Sequence, residues 1–175
     1  YDDERVIAGQ GTAGLEITQQ LNSLERELDM FFCCCGGGGL MAGTALALSE
    51  HFRQAKLYTV EPDGLDDTAR SLAAGKRQTN DPSARSICDA IVTPSPGLLT
   101  FPIVQSKAAG GKVVTDEEAL SAMKTAWDYF KLTVEPGGAV ALAASLKQEV
   151  IGNHTGDERK TVVAILSGGN CDQDI

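Results

Sequence analysis

Four consecutive glycines, residues 36–39, separate an apolar run at 28–35 from a stretch of small residues at 40–49 that favours a helix. A strand that leads through a glycine turn into a helix leaves backbone N–H groups unpaired at the positive end of the helix dipole. Side chains would block an anion from these groups, and glycine also adopts the left-handed conformations that such turns need. One or two glycines would serve a simple tight turn. Four in succession favour a phosphate-binding loop.

Apolar runs and helical patterns alternate along the chain. Strands are predicted at residues 28–35, 55–60, 112–114 and 161–166, and helices at 13–21, 40–49, 65–74 and 137–146. The run at 28–35 is almost entirely apolar, as expected for a strand that is buried on both faces of a parallel sheet. Strands that alternate with helices predict an α/β fold with a parallel sheet flanked by helices.

Other segments give more local predictions. The two glycines within residues 9–12 indicate a break before the first helix, and 75–102, with four of the six prolines, indicates a loop with a short buried segment at 87–92. Thr115 and Glu118 form a capping box that opens a further helix. That helix carries apolar side chains at spacings of three and four, which predict a stripe facing the core. They are Leu120, Met123, Trp127 and Phe130.

Charge and cysteine content exclude several classes of function. The net charge is −9 and no cluster of Lys and Arg is present, which argues against nucleic acids and anionic membranes as partners. No apolar run reaches the roughly 18 residues of a membrane-spanning helix, so we expect a soluble, cytoplasmic protein. Cys33, Cys34 and Cys35 alternate between the faces of a strand and so cannot converge on one zinc ion. We interpret the five cysteines as small buried apolar residues in a reducing compartment.

Three turns follow predicted strands at the same end of the sheet. They comprise residues 36–39, the acidic segment 61–67 and the segment 167–170. Ligands of open parallel sheets bind at the carboxyl ends of the strands. The sequence therefore predicts one edge at which a small phosphorylated ligand contacts several of these turns.

Five motifs occur in the order in which they are found in the pyridoxal-phosphate-dependent threonine/serine dehydratases and serine racemase. They are residues 6–12 (VIAGQGT), 36–43 (GGGGLMAG), 60–62 (VEP), 132–139 (LTVEPGGA) and 166–170 (LSGGN). Residues 86–90 (SICDA), Pro94, Pro96, Gly97 and residues 99–102 (LTFP) are more similar to bacterial threonine dehydratases. The resemblance extends over nearly the whole chain and implies the large domain of a fold-type II enzyme.

The resemblance implies a role for the glycine turn and for one serine. Gly36, Gly37, Gly38 and Gly39 match the loop that holds the cofactor phosphate, and Ser167 matches the residue whose hydroxyl pairs with the pyridine nitrogen. A neutral hydroxyl at that position leaves the ring nitrogen largely unprotonated and weakens the electron sink. This suits elimination of a β-hydroxyl group better than reactions that need a long-lived carbanion.

The resemblance also implies a divalent-cation site formed by Glu61, Asp67 and the backbone carbonyl of Leu65. Oxygen ligands in a short acidic turn suit Mg²⁺, Mn²⁺ or Ca²⁺. Acidic residues are equally what a helix N-terminus attracts through its dipole, so this alternative stays open.

Two further residues have two interpretations each, and a third departs from the family pattern. Glu135 either faces the cofactor cleft or serves only as an acidic residue at a helix start. Asn170 is either a turn former or a neighbour of Ser167. Ala90 stands where many relatives have glycine and so approaches the expected position of the cofactor ring.

Two motifs on which catalysis in this family depends are absent from the 175 residues. The Schiff-base lysine of a Ser-x-Lys-x-Arg motif is missing, because Ser145 and Lys147 are followed by Glu149. The Ser-x-Gly-Asn-His loop that grips the substrate carboxylate is also missing, since residues 152–154 copy only its last three letters. We therefore expect residues 1–175 to form a single domain, the second half of the cofactor-binding large domain, without the catalytic lysine.

Two classes of function compete on this basis. In the first, the chain derives from an enzyme that dehydrates and deaminates L-threonine or L-serine, a small hydroxy amino acid, to a 2-oxo acid and ammonia; serine racemase and hydroxyaspartate dehydratase share every motif present. In the second, the chain is a non-catalytic phosphate- or metal-binding fragment. The family and the exposed sheet edge of such a fragment both indicate a homo-oligomer.

Overall fold

A four-stranded parallel sheet forms the centre of the structure, a computed structural model that describes residues 1–152 and 160–172. The strands are β1 (Met30–Cys34), β2 (Lys56–Pro62), β3 (Gly110–Val114) and β4 (Val162–Ala164), in the spatial order β3-β2-β1-β4. The helices are α1 (Glu4–Ser23), α2 (Gly39–His51), α3 (Asp67–Ala74), α4 (Thr100–Lys107), α5 (Asp116–Thr125), α6 (Pro136–Ser145) and α7 (Gln148–Ile151). The predicted α/β architecture is confirmed.

Strand β1 divides the core between two layers of helices. Phe31 and Cys33 point towards α1 and α2, whereas Phe32 and Cys34 point towards the layer formed by α5 and α6. All four side chains are buried, so the strand is covered on both faces as its apolar sequence predicts. Strand β4 pairs with β1 in parallel, and the ends of these two strands lie side by side at one edge of the sheet.

Helix α1 begins earlier than predicted. The glycines within residues 9–12 lie inside it and do not break it. Gly11 serves close packing, whereas Gly9 faces open space: a Cβ atom at Gly43 of α2 would lie 2.1 Å from the carbonyl oxygen of Ile7 and 2.6 Å from the amide of Gly11. A Cβ atom at Gly14 would likewise lie 2.8 Å from Ala47. The glycines allow the two helices to approach each other more closely than larger residues would permit.

The acidic turn after β2 is shorter than predicted. Glu61 and Pro62 belong to the strand, because they pair with Val113 and Val114 of β3. Pro62, which lacks an N–H group, is the last residue of β2. The turn itself is confined to the following residues and includes Gly64, with a φ of +75°.

The proline-rich segment starts at Gly75 as predicted but departs from the predicted loop in its middle and at its C-terminal end. Only Cys88 is buried between residues 87 and 92, where a short 3-10 helix, Asp89–Ile91, replaces the predicted buried segment. Helix α4 starts at Thr100 and contains Pro102 in its first turn, where a missing amide hydrogen costs little. The prolines therefore mark the start of a helix as well as a loop.

Helix α5 confirms its predicted cap but not its predicted core stripe. The Thr115 hydroxyl accepts from the amide of Glu118, and the Glu118 carboxylate accepts from the amide of Thr115. The apolar residues face outwards: Leu120, Trp127 and Phe130 are 40%, 56% and 58% exposed, and only Met123 packs partly on the core. Alanines at 119, 122 and 126 are buried instead.

Packing against α6 explains this reversal. All ten residues of α6 are buried, and most are glycine or alanine. Two helices that approach closely can place only small residues between them, so α5 turns its alanines inwards and its large side chains outwards. Beyond Thr125 the helix continues as a π-helical segment, Ala126–Phe130. It ends at Lys131, which adopts a left-handed φ of 57°.

Within residues 1–152 and 160–172, none of the helices combines the length and the apolar character needed to cross a membrane.

Candidate cofactor site

A cavity of about 310 Å³ lies at the carboxyl ends of β1 and β4. Its volume is at the lower end of the range of about 300–1,000 Å³ that is usual for small-molecule sites. The described residues that line it are Tyr1, Cys34, Gly36, Gly37, Gly38, Gly39, Leu40, Ala90, Ile91, Thr93, Glu135 and Ser167. The predicted phosphate loop, Ser167, Glu135 and Ala90 are thus brought together on one surface.

The glycine loop, residues 36–39, has the backbone geometry of an anion cradle. Gly38 is the N-cap of α2 with a φ of +91°, and no side chain caps the first turn of that helix. A Cβ atom at Gly36 would lie 2.8 Å from the carbonyl oxygen of Ile91. None of the described lining side chains is a lysine, arginine or histidine, so the loop amides and the dipole of α2 are what this surface offers to a phosphate group.

Tyr1 lies against the glycine loop, and Asp2 is bound to the start of α4 outside the cavity lining. A Cβ atom at Gly37 would lie 2.1 Å from the ring of Tyr1, which therefore covers the loop. The Asp2 carboxylate accepts hydrogen bonds from the amides of Leu98, Leu99 and Thr100 at the start of α4. Desolvation acts to raise the pKa of Asp2, but these three bonds outweigh it and lower that pKa. No sequence pattern indicates this arrangement, since the partners are about a hundred residues apart.

The turn that carries Ser167 is held by Glu135. The amide of Glu135 donates to the carbonyl oxygen of Gly168 at 2.9 Å, and the amide of Asn170 donates to Oε2 of Glu135 at 3.1 Å. Glu135 therefore lines the cavity and also holds the turn; it stands at the N-cap of α6, but its side chain does not cap that helix. Asn170 is exposed, and it contacts Glu135 through its backbone while its side chain is absent from the cavity lining.

One contact in the cavity was not predicted. The Sγ atom of Cys34 lies 3.0 Å from the Oγ atom of Ser167. The neighbouring Cys33 thiol and the Ser167 hydroxyl lower the pKa of Cys34, while burial and the negative charge of Glu135 oppose that shift. The sequence interpretation treated Cys34 only as a small apolar residue, because the alternation along a strand does not reveal which neighbour its side chain meets.

Thr93 provides an observation that favours a polar ligand. It lines the cavity, and its Oγ1 atom is buried without a hydrogen-bond partner among the described residues. A buried hydroxyl without a partner costs free energy, which a ligand with a polar group recovers on binding. The unpartnered hydroxyl, the side-chain-free loop and Ser167 together fit a ligand such as pyridoxal phosphate, which has an anionic group and a ring nitrogen.

The acidic residues predicted to bind a metal, Glu61 in β2 and Asp67 at the start of α3, lie outside the cavity lining, so one ligand does not contact all three predicted turns. Glu61 is fully buried, and its Oε1 and Oε2 atoms accept from the amides of Thr68 and Ala69 at 2.8 and 2.7 Å. Asp67 accepts from the side-chain amide of Asn80 at 2.5 Å, whereas its Oδ2 atom is buried and has no partner among the described residues.

Burial dominates the electrostatics of these two carboxyl groups. Desolvation raises the pKa of Glu61 to about 8 and that of Asp67 to about 6, and in Glu61 the nearby charge of Asp67 adds to the shift. A cation between them would reverse this effect, since it stabilises the charged forms. Within the described part of the chain, no group of three or more His, Cys, Asp and Glu side chains is arranged to hold a metal ion.

The partial copies of catalytic motifs lie elsewhere. The Lys147 ammonium group pairs with Glu118 at 2.9 Å and donates to the carbonyl oxygen of Val113 at 3.2 Å. Lys147 does not line the cavity. Asn153 and His154 fall outside the described residues.

Comparison with known proteins identifies the family. The profile of the family described as "Pyridoxal-phosphate dependent enzyme" matches residues 1–168. The chain belongs to this family. It is 40% identical to a serine racemase from Dictyostelium discoideum over 173 residues, which is 98% of this chain and 51% of that protein. It is 34% identical to a beta-hydroxyaspartate dehydratase from Paracoccus denitrificans (strain Pd 1222), over 99% of this chain and 52% of that protein.

A solved structure of a relative agrees with the fold. The threonine deaminase isoform 2 from Solanum lycopersicum, in its processed form, superposes with a TM-score of 0.88 and 31% identity, over 99% of this chain and 46% of that one. The parallel sheet and its flanking helices therefore match the cofactor domain of fold-type II enzymes. The chain spans about half the length of the curated relatives that it matches.

Proposed function

We propose that the chain binds pyridoxal phosphate in the cavity, with the phosphate on the glycine loop and the ring nitrogen at Ser167. The observation that supports this most strongly is that the glycine loop and Ser167 line one surface, although they are far apart in the sequence. The left-handed Gly38 at the start of α2 and the unpartnered Thr93 hydroxyl add support.

The bound cofactor would supply an electron sink that draws electrons from the α-carbon of an attached amino acid. In this proposal Ser167 presents a neutral hydroxyl, and not a carboxylate, to the ring nitrogen. Glu135 holds the Ser167 turn through the amide of Asn170 and places its own carboxylate in the cavity. This arrangement favours elimination, in which negative charge leaves with the β-hydroxyl group.

The reaction that we propose is the dehydration and deamination of a small hydroxy amino acid, L-threonine or L-serine, to a 2-oxo acid and ammonia. The similarity to threonine deaminase and to beta-hydroxyaspartate dehydratase supports it. Serine racemisation is the second candidate, because several of the similar proteins are serine racemases. In both cases we propose that the catalytic lysine lies in a segment equivalent to the part of the relatives that this chain does not match. We also propose that residues 1–175 form the second half of the large domain.

We propose in addition that Glu61, Asp67 and the carbonyl oxygen of Leu65 bind a divalent cation, Mg²⁺, Mn²⁺ or Ca²⁺. The buried, unpartnered Oδ2 atom of Asp67 supports this, as do the raised pKa values of two carboxyl groups that share one region. Glu61 already accepts from two amides at the start of α3, and a cation bound to the same carboxyl group would favour its ionised form.

Two properties of the protein in its cell complete the proposal. A cytoplasmic location is supported by the cysteines, which are free at all five positions. A homo-oligomer is supported by the edge strand β4, whose residues are only partly buried.

Calorimetric titration of the chain with pyridoxal phosphate tests the binding proposal. We expect saturable binding that Gly38→Ala weakens at least about tenfold, because alanine at a φ of +91° is strained and its Cβ atom would lie 3.0 Å from the Thr100 hydroxyl. Gly64→Ala is the matched control: Gly64 also has a positive φ, but the space around it is open and it lies outside the cavity. Equal loss in both variants, or no binding to the unaltered chain, would contradict the proposal.

Product analysis distinguishes the reactions. In a polypeptide that carries this chain together with the Ser-x-Lys-x-Arg motif, we expect 2-oxobutanoate from threonine and pyruvate from serine. D-serine without a 2-oxo acid would favour racemisation. The 175 residues alone lack that motif, so we expect neither product from them.

A further inference from the structure

Within the cavity, the side chain of Cys34 directly contacts the side chain of Ser167. Cys34 is the last residue of β1 and is 5% exposed, yet it lines the cavity. Strand β4 runs beside β1, and the amide of Ile165 donates to the carbonyl oxygen of Phe32. This register carries the following chain past the end of β1 and brings the Ser167 hydroxyl to 3.0 Å from the thiol.

A hydroxyl group has one hydrogen to donate and two lone pairs that accept. If the thiol donates to Ser167, the hydroxyl hydrogen is free to point into the cavity. If the hydroxyl donates to the sulfur, only a lone pair faces the cavity, and Ser167 offers an acceptor there. The partner of Ser167 on the protein side therefore decides whether this site presents a donor or an acceptor to a ring nitrogen.

We propose that Cys34 is a positioning residue whose thiol donates to the Oγ atom of Ser167 and thereby turns the Ser167 hydroxyl into the cavity as a donor. The inference rests on the proposed function, since it concerns the group that Ser167 would contact. A neutral pyridine nitrogen is a far better acceptor than a thiol sulfur. The Ser167 hydroxyl therefore forms the stronger hydrogen bond when it donates to the ring nitrogen. Successive donors in one chain, thiol to hydroxyl to nitrogen, also polarise one another and strengthen each bond.

The geometry around Cys34 allows either group to be the donor, so we infer the direction from the chemistry of the ring nitrogen. The Ser167 hydroxyl lies within hydrogen-bonding distance of its Sγ atom. The Glu135 carboxylate lines the same cavity, and its negative charge opposes the lowering of the Cys34 pKa without reversing it. Cys33 is the natural comparison, because it lies next in the strand, is also buried and points to the opposite layer of helices.

Infrared spectroscopy of the S–H stretch tests the direction without any ligand. The difference between the spectra of the unaltered chain and Cys34→Ala isolates the band of this thiol from those of the other four cysteines. We expect a band at low wavenumber that moves to higher wavenumber in Ser167→Ala, where the acceptor is lost. The Cys33 band, isolated by Cys33→Ala, should not respond to Ser167→Ala. A Cys34 band that is absent, or that does not move, would overturn the inference.

Pyridoxal phosphate labelled with ¹⁵N in the ring tests the consequence at the ligand. Bound to the unaltered chain, the label should show the shift of a neutral nitrogen that accepts a hydrogen bond. Cys34→Ala should move the resonance towards that of an unbonded nitrogen and weaken binding about 2–10-fold, as expected for loss of one hydrogen bond. Cys34→Ser keeps a donor and should restore the original shift, while Cys33→Ala should leave it unchanged.

The two measurements separate failure of the inference from failure of the proposed function. If labelled pyridoxal phosphate does not bind the unaltered chain, the proposed function fails, and the S–H band still decides the direction of the Cys34–Ser167 bond. If it binds, but Cys34→Ala leaves the ring resonance unchanged, the proposed function stands and Cys34 has no positioning role. A resonance typical of a protonated ring would also overturn the inference, because Ser167 would then act as the acceptor.

Discussion

The hydroxyl of Thr100 donates a 2.6 Å hydrogen bond to the carbonyl oxygen of Gly37. Both residues are buried, and the amide of Gly97 donates to the same oxygen at 3.2 Å. The start of α4 thus holds a carbonyl of the glycine loop away from the cavity. Since a carbonyl oxygen that faced the cavity would repel a phosphate group, this bond favours the loop conformation that binds anions.

Thr100→Val should therefore weaken the affinity for inorganic phosphate. Valine has nearly the same shape as threonine but lacks the donor, so we expect about a 2–10-fold loss, whereas Thr100→Ser should bind as the unaltered chain does. Both variants keep the backbone amide that donates to Asp2. Calorimetry measures the three affinities. Equal values for the valine and serine variants would show that the hydroxyl does not hold the loop.

Stability should depend on pH through Glu61. The pKa of Glu61 is about 8 in the folded chain, whereas the reference value for the exposed group is 4.5. Between these pH values the folded state therefore binds more protons than the unfolded state. The free energy of unfolding should then fall as the pH rises from about 5 to about 8, in the absence of divalent cations, by on the order of a few kcal/mol. Asp67, with a pKa of about 6, adds to the fall at the acidic end of this window.

Urea unfolding at a series of pH values, with Glu61→Gln as the reference, isolates this contribution. The variant cannot ionise at that position, so its free energy of unfolding should change less with pH. Adding Ca²⁺, Mg²⁺ or Mn²⁺ should stabilise the unaltered chain above about pH 7, and Asp67→Asn should reduce that gain. Parallel pH profiles for the two proteins would refute the assignment of a raised pKa to Glu61.

The packing of α1 on α2 predicts opposite effects for two glycines. Gly43→Ala would place a Cβ atom 2.1 Å from the carbonyl oxygen of Ile7, and should destabilise the fold by about 1–3 kcal/mol or more. Gly9 lies in the same helix pair, but a Cβ atom there meets nothing within 4 Å. Gly9→Ala should stabilise the chain by roughly 0.5–1 kcal/mol, since alanine favours a helix over glycine. Similar free energies for the two variants would contradict the close contact.

The outward face of α5 can be followed through Trp127, which is the only tryptophan in the sequence. It is 56% exposed, and Tyr129, Phe130 and Leu132 beside it are also exposed. In dilute solution its fluorescence should resemble that of indole in water and be quenched readily by acrylamide. A blue shift that develops with concentration would support self-association through this face. Blue-shifted, protected emission at every concentration would contradict the exposed position.

Prediction from the sequence succeeded where local chemistry decides the outcome. The apolar run at β1 and the capping box of Thr115 and Glu118 each depend on a few adjacent residues, and both were confirmed. The glycine turn was likewise found at the start of α2. These features need no knowledge of distant neighbours, since burial on both faces and helix capping follow directly from residue type.

Prediction failed where contacts between residues that are distant in the sequence determine the structure. The glycines at 9 and 11 were taken for a break, because the close contact of Gly11 with Gly43 becomes visible only when the helices pack. The large residues of α5 follow a helical spacing, but the small residues of α6 require alanines opposite them. The role of Cys34 could not be predicted, because its contact with Ser167, 133 residues away in the sequence, depends on the register of two strands.

Phosphorus-31 NMR of pyridoxal phosphate mixed with the chain tests the central claim most directly. If the glycine loop binds the phosphate group, the unaltered chain should give a shifted, broadened resonance that inorganic phosphate displaces. Gly38→Ala should return the signal to that of the free compound, and Gly64→Ala should not. A spectrum of free pyridoxal phosphate with the unaltered, folded chain would contradict the account.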